Sequence, residues 1–149
     1  MFGLELHPAV VHFPIALGVT GALAEIAYLA VRKPWLRWFG PLLLSAALIG
    51  AAGAYFSGDA ASDRAEDKGI PKAPIEQHEE TCVWSIGALA LTVILSWATH
   101  ARGKGVVFPA ILALITAGLF LYTGYLGGRL VYIHGAGRVS AAAVREWGH

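Results

Sequence analysis

The chain is poor in charge, in cysteine and in methionine. Charged residues make up 14% of its 149 positions, against about 25% in an average soluble domain. That excludes a disordered chain, which needs charge and little apolar surface. The single cysteine, Cys82, excludes an internal disulfide framework and a CxxCH haem attachment. A formal net charge of +1 with no basic stripe argues against a nucleic-acid partner. The sequence holds no phosphate loop, no Ser-His-Asp order and no HExxH, so no catalytic residue is assigned. The HEE at 78–80 is not a metalloprotease motif. Hydrophobic residues, by contrast, reach 56%, and six histidines stand against eleven Lys and Arg.

The apolar residues are gathered in long runs. Residues 41–57, 82–99 and 106–128 contain no charged side chain, and residues 9–31 contain only His12 and Glu25 as polar interruptions of note. A helix needs about 20 apolar residues to cross about 30 Å of hydrocarbon. A soluble bundle would show charge every few residues on an outer face. Ala, Leu and Gly dominate without alternation, which excludes strands. The expected fold is all-α: an up-and-down four-helix transmembrane bundle in a single domain, 1–149. Its spans fall at about 8–31, 38–57, 80–99 and 106–134, with a polar loop at 58–79 and a short tail at 135–149, where Ser140 caps a helical turn. The first span lacks a basic leader and is too long for a signal-peptide core.

Charge orients the bundle. The two short connections hold Arg32, Lys33, Arg37, Arg102 and Lys104 and no acid. The stretch 58–80 holds three basic and seven acidic residues, a net of −4. Lys and Arg in short loops stay in the cytoplasm. Both termini and the long loop are therefore expected outside, in a bacterial inner membrane. Trp35, Trp38, Trp84 and Trp97 lie near span ends, as an interfacial aromatic belt requires.

That threading gathers histidines. His7 and His12 open the first span, His78 precedes the third and His134 closes the fourth, all on the outer side. Imidazole is a common metal ligand, and histidines on facing helices hold haem iron in bundles. His7 and His12 are about 140° apart on an ideal helix, so they serve different partners unless His7 leaves the regular helix beside Pro8. Interhelical hydrogen bonds and interfacial positions are the alternative roles for these four. Arg129 is a candidate for a haem propionate or an interfacial anchor. His100 is expected alone in a cytoplasmic loop, and His149 ends the chain; neither is assigned a role. Glu25, the one acid within a span, is read as a proton-relay or quinone contact, as snorkelling to the interface, or as pairing with Arg102 or Lys104.

HPAVVHFPIAL at 7–17, SGDAA at 57–61, HEE at 78–80 and GGRLVYIHGAG at 127–137 resemble the domain of unknown function 2231 family of bacterial membrane proteins. The resemblance covers nearly the whole chain. Its matching positions are His7, Pro8, His12, Phe13, Pro14, His78, Gly127, Gly128, Tyr132, His134 and Gly135. Similar proteins have four spans, some fused to c-type cytochrome domains, which implies redox work at the outer face.

The expected function is a b-type cytochrome subunit, an electron-transfer part rather than a stand-alone enzyme. One or two non-covalent haem b groups would sit near the periplasmic face, with His7, His12, His78 and His134 as candidate axial ligands. A c-type cytochrome, another redox complex or quinone would be the partner. The alternatives are a Cu or Zn site on His7, His12 and His78 with Glu79 or Glu80, and a cofactor-free accessory subunit of a larger complex.

Overall fold

The computed structural model describes residues 6–137. The Ser140 cap, His149 and most of the expected tail lie outside the described residues. The chain forms a short helix α1 (Leu6–Val10), then four long helices: α2 (His12–Val31), α3 (Phe39–Asp67), α4 (Lys72–Arg102) and α5 (Val107–Tyr132). The four long elements have the length and hydropathy of membrane-crossing helices. No strand occurs among the described residues. The all-α, four-helix reading of the sequence is borne out, and the protein is a multi-pass membrane protein.

The helices run up and down as a closed ring. α2 packs on α3 and α5, and α4 packs on α3 and α5, so α2 and α4 stand diagonally opposite. The core between them is built from small side chains, Ala22, Ala47, Ala51, Ala113 and Ala117, around Leu44, Leu89 and Phe120. In lipid there is no hydrophobic force between helices, so close approach of small residues and interhelical polar bonds hold them. Gly21 illustrates the approach: a Cβ there would sit 2.9 Å from Leu44 Cγ and 3.2 Å from the Leu44 backbone nitrogen. Polar bonds join α4 to its neighbours, with Thr92 and Thr116 hydroxyls 3.0 Å apart, Ser85 and Thr123 hydroxyls 2.9 Å apart, and Trp97 Nε1 donating to Ser45 Oγ at 2.9 Å. Large apolar side chains instead face outward: Ile49 is 77% exposed and Trp84 75%. That inversion suits a lipid surround.

Two boundaries differ from the sequence reading. The expected loop over 58–79 is mostly helix, since α3 continues to Asp67 and α4 starts at Lys72. A helix satisfies its own backbone in water as in lipid, so charge ends an apolar run without ending the helix. What ends it is Gly69, at φ 79°, followed by Pro71. At 29 residues, α3 is about 44 Å long and outreaches about 30 Å of hydrocarbon. Its polar extension and that of α4 close over a small cluster of Ala65, Ile70 and Ile75, and Lys72 meets Glu66 at 3.1 Å. The second difference is at the other end. α4 reaches Arg102 and is capped by Gly103 in the left-handed conformation, which places His100 inside the helix rather than in a loop.

Pro14 interrupts the first span. It has no N–H to offer Val10, and the helix breaks at Val11 between α1 and α2. α1 packs on α3.

Candidate functional site

At the end of the bundle where α3 meets α4 lies a cavity of about 1450 Å³, walled largely by apolar side chains. His7, His12, His78 and His134 all line it, so the four histidines read from the sequence do gather in one place. They arrive from α1, from the first residue of α2, from the second turn of α4 and from just beyond α5.

His7 is held from α3. Its Nδ1 lies 2.9 Å from Ser57 Oγ, and that hydroxyl already donates to the Ala54 carbonyl at 2.9 Å. A hydroxyl has one proton to give, so with that proton on the Ala54 carbonyl His7 Nδ1 is the donor. Nε2 is then the ring nitrogen with a lone pair when the imidazole is neutral. Gly58 makes room: a Cβ there would stand 3.3 Å from His7 Cε1. His12 is exposed and bonded through Nδ1 to the Pro8 carbonyl, one turn back across the helix break. His7 and His12 nevertheless both line the same cavity.

His78 is packed against α5. A Cβ on Gly127 would stand 3.2 Å from its Cε1. Nε2 is 3.6 Å from Cys82 Sγ, one turn along α4. Nδ1 is buried and makes no well-formed hydrogen bond, with the Thr123 backbone nearby. His134 is half-buried in the turn after α5, where Gly135 takes φ 81°.

Arg129 is placed differently. It lines a separate cavity of about 270 Å³ with Gln77 and His134, and its guanidinium lies 6.0 Å from the Tyr125 ring centre. The basic side chains on the large cavity are Arg64 and Lys68, the latter donating to the Ala136 carbonyl at 2.7 Å. Both fall within the loop expected over 58–79. Once α3 is extended to Asp67, Arg64 falls two turns beyond Ser57, at 7-residue spacing on the same face. Among the described residues no three His, Cys, Asp or Glu side chains converge as a bare metal site requires.

A second polar cluster sits at the opposite end. Glu25 of α2 meets His100 of α4, Oε2 to Nε2 at 3.3 Å, with both side chains almost fully buried. Ser96 donates to Glu25 Oε1. The expected partners of Glu25 were Arg102 and Lys104; the actual ones are His100 and Ser96. Gly40, at the start of α3, leaves space for the carboxylate, since a Cβ there would lie 2.5 Å from Oε1. Arg37 donates to the His100 and Ala101 carbonyls, and its guanidinium lies 4.9 Å from the Trp38 ring centre.

A family model described as "Predicted membrane protein (DUF2231)" matches residues 3–140. No curated protein and no solved structure matches the chain.

Proposed function

We propose, for a chain that belongs to the DUF2231 family of predicted membrane proteins, the function of a membrane b-type cytochrome subunit that binds non-covalent haem in the histidine-lined cavity. One observation carries the reading: imidazoles from α1 and α4 enter one large, mostly apolar cavity, with the His7 ring fixed through its Nδ1. A ligating histidine typically gives its other N–H to a neighbouring acceptor, which sets the tautomer and orientation. The Ser57 hydroxyl does that for His7, and the unsatisfied Nδ1 of His78 is a polar group that a bound cofactor could satisfy.

The residues fit haem better than a bare ion. A Cu or Zn site needs three or four converging donors, and none is grouped among the described residues. A haem needs one or two imidazoles and room for a flat macrocycle. His7 and His78 would hold it, with His12 and His134 as further candidates. Arg64 and Lys68 supply positive charge on the cavity wall for its carboxylates. When bound, haem supplies one-electron transfer; the chain supplies ligands, dryness and charge. The partner is a redox protein or quinone at the same face. With the basic connections read as cytoplasmic, that face would lie outside, at the periplasmic side of a bacterial inner membrane.

A reduced-minus-oxidised visible spectrum of the purified full chain tests this. We expect a haem b signal that pyridine extraction removes intact and that His7→Ala and His78→Ala abolish. Copper or zinc by elemental analysis without porphyrin selects the metal reading, and the absence of both selects the accessory subunit. Ser57→Ala removes only the acceptor for His7 Nδ1. It should weaken haem retention by about 10–100-fold, as loss of a ligand's supporting hydrogen bond does, measured by haem transfer to an apo-globin acceptor.

A further inference from the structure

We propose that Glu25 and His100 form an intramembrane proton-binding site, separate from the cavity, which holds one proton between Oε2 and Nε2. The geometry calls for that proton: Oε2 and Nε2 are both buried, 3.3 Å apart and without a well-formed hydrogen bond to any other group. His100 Nδ1 lies 2.9 Å from the Ser96 carbonyl, an acceptor only, so Nδ1 bears a hydrogen. In a neutral ring Nε2 then presents a lone pair, and it faces a carboxylate oxygen at 3.3 Å. Two bare acceptors do not face each other in a buried site, where unpaired polar atoms are expensive. A proton therefore sits on Glu25 or on His100. The two forms, carboxylic acid with imidazole and carboxylate with imidazolium, interconvert by moving that one proton from Oε2 to Nε2. Release to water leaves carboxylate and neutral imidazole; uptake reverses it.

The surroundings suit a proton and little else. Both side chains are nearly inaccessible, and neither cavity described above is lined by them. The charged and titratable groups about the pair are Tyr28 on α2, with its ring centre 5.1 Å from that of His100, and Arg32 and Arg37 on the connection to α3. Residues 39–54 of α3 and 106–121 of α5 carry no titratable side chain. The pair lies within two turns of the ends of α2 and α4, so the short way to water is past Arg37. That residue is tied to the last turn of α4 and stacked on Trp38, which itself stacks on Trp97 at 5.4 Å. Arg37 thus closes the site toward the basic surface.

Infrared difference spectroscopy of the full chain in lipid nanodiscs, recorded between about pH 4 and pH 10, tests the assignment. A carboxyl band that changes with pH, disappears in Glu25→Gln and shifts in Ser96→Ala is the expected result. Ser96→Ala keeps the carboxyl and loses only its Oε1 donor, so the test survives if Glu25→Gln does not fold. Arg37→Gln should speed hydrogen–deuterium exchange of that band by about tenfold or more, because it removes charge-assisted bonds that close the site. A Glu25 band that stays constant across the range, or one unmoved by Ser96→Ala, overturns the proposal and leaves a pair of fixed protonation. These readouts need no haem, so they fail or succeed independently of the cavity's occupant.

Discussion

Replacing His100 by Leu will destabilise the bundle by about 3–5 kcal/mol, the usual result of stripping one partner from a buried pair. The Leu side chain leaves Glu25 facing hydrocarbon with only Ser96 as a donor. The informative comparison is the double variant Glu25→Leu/His100→Leu. Replacing a whole buried pair by apolar groups is often neutral or stabilising, so the double variant should recover most of the loss. Reversible unfolding in mixed micelles, followed by far-ultraviolet circular dichroism, measures all three proteins. A single variant as stable as the parent would mean that Glu25 keeps the proton itself or finds water or another donor. The result also separates stability from proton binding, since the double variant folds and carries no proton site.

Gly21→Val is the second large effect. A Cβ at this position meets Leu44 on both side chain and backbone, at 2.9 and 3.2 Å, so α2 and α3 must separate along their whole contact. Overpacking of this kind costs about 1–3 kcal/mol, and the rigid backbone contact puts Gly21 at the upper end. Gly53 and Gly118 provide the control. At neither position would a Cβ have a neighbour within 4 Å, so Ala at either site should be neutral or slightly stabilising through helix propensity. The same unfolding assay ranks the variants. Equal losses at Gly21 and Gly53 would show that backbone flexibility, not helix approach, sets the effect.

The fold was legible because lipid imposes a simple rule: twenty apolar residues without charge must be a helix. The four spans and the gathering of His7, His12, His78 and His134 follow from that rule and from helix direction alone. The rule failed where water begins. It reads a charged stretch as loop, yet residues 58–67 and 72–79 continue their helices. Gly69 and Pro71 were the visible stop signals, as Gly103 was for α4. Reading those caps would have extended α4 past His100 and made it available to Glu25. The roles of Ser57, Gly58 and Gly127 were not legible from spacing, because each acts on a histidine from another helix. Their motifs, SGDAA and GGRLVYIH, marked the segments without saying what they hold.

The polar side chains of α4 have a geometric consequence. His78, Cys82, Ser85, Thr92, Ser96 and His100 follow one another at intervals of three, four or seven residues, with Leu89 filling the gap. His78 and His100 are 22 residues apart, which on an ideal helix returns to within about 40° of the starting direction. The helix is therefore keyed like a shaft with a tooth at either end. Engaging Glu25 at one end fixes the angular phase with which His78 enters the cavity at the other. One residue inserted between them would turn the two teeth about 100° out of step, so neither end of this helix is free to drift in register without the other.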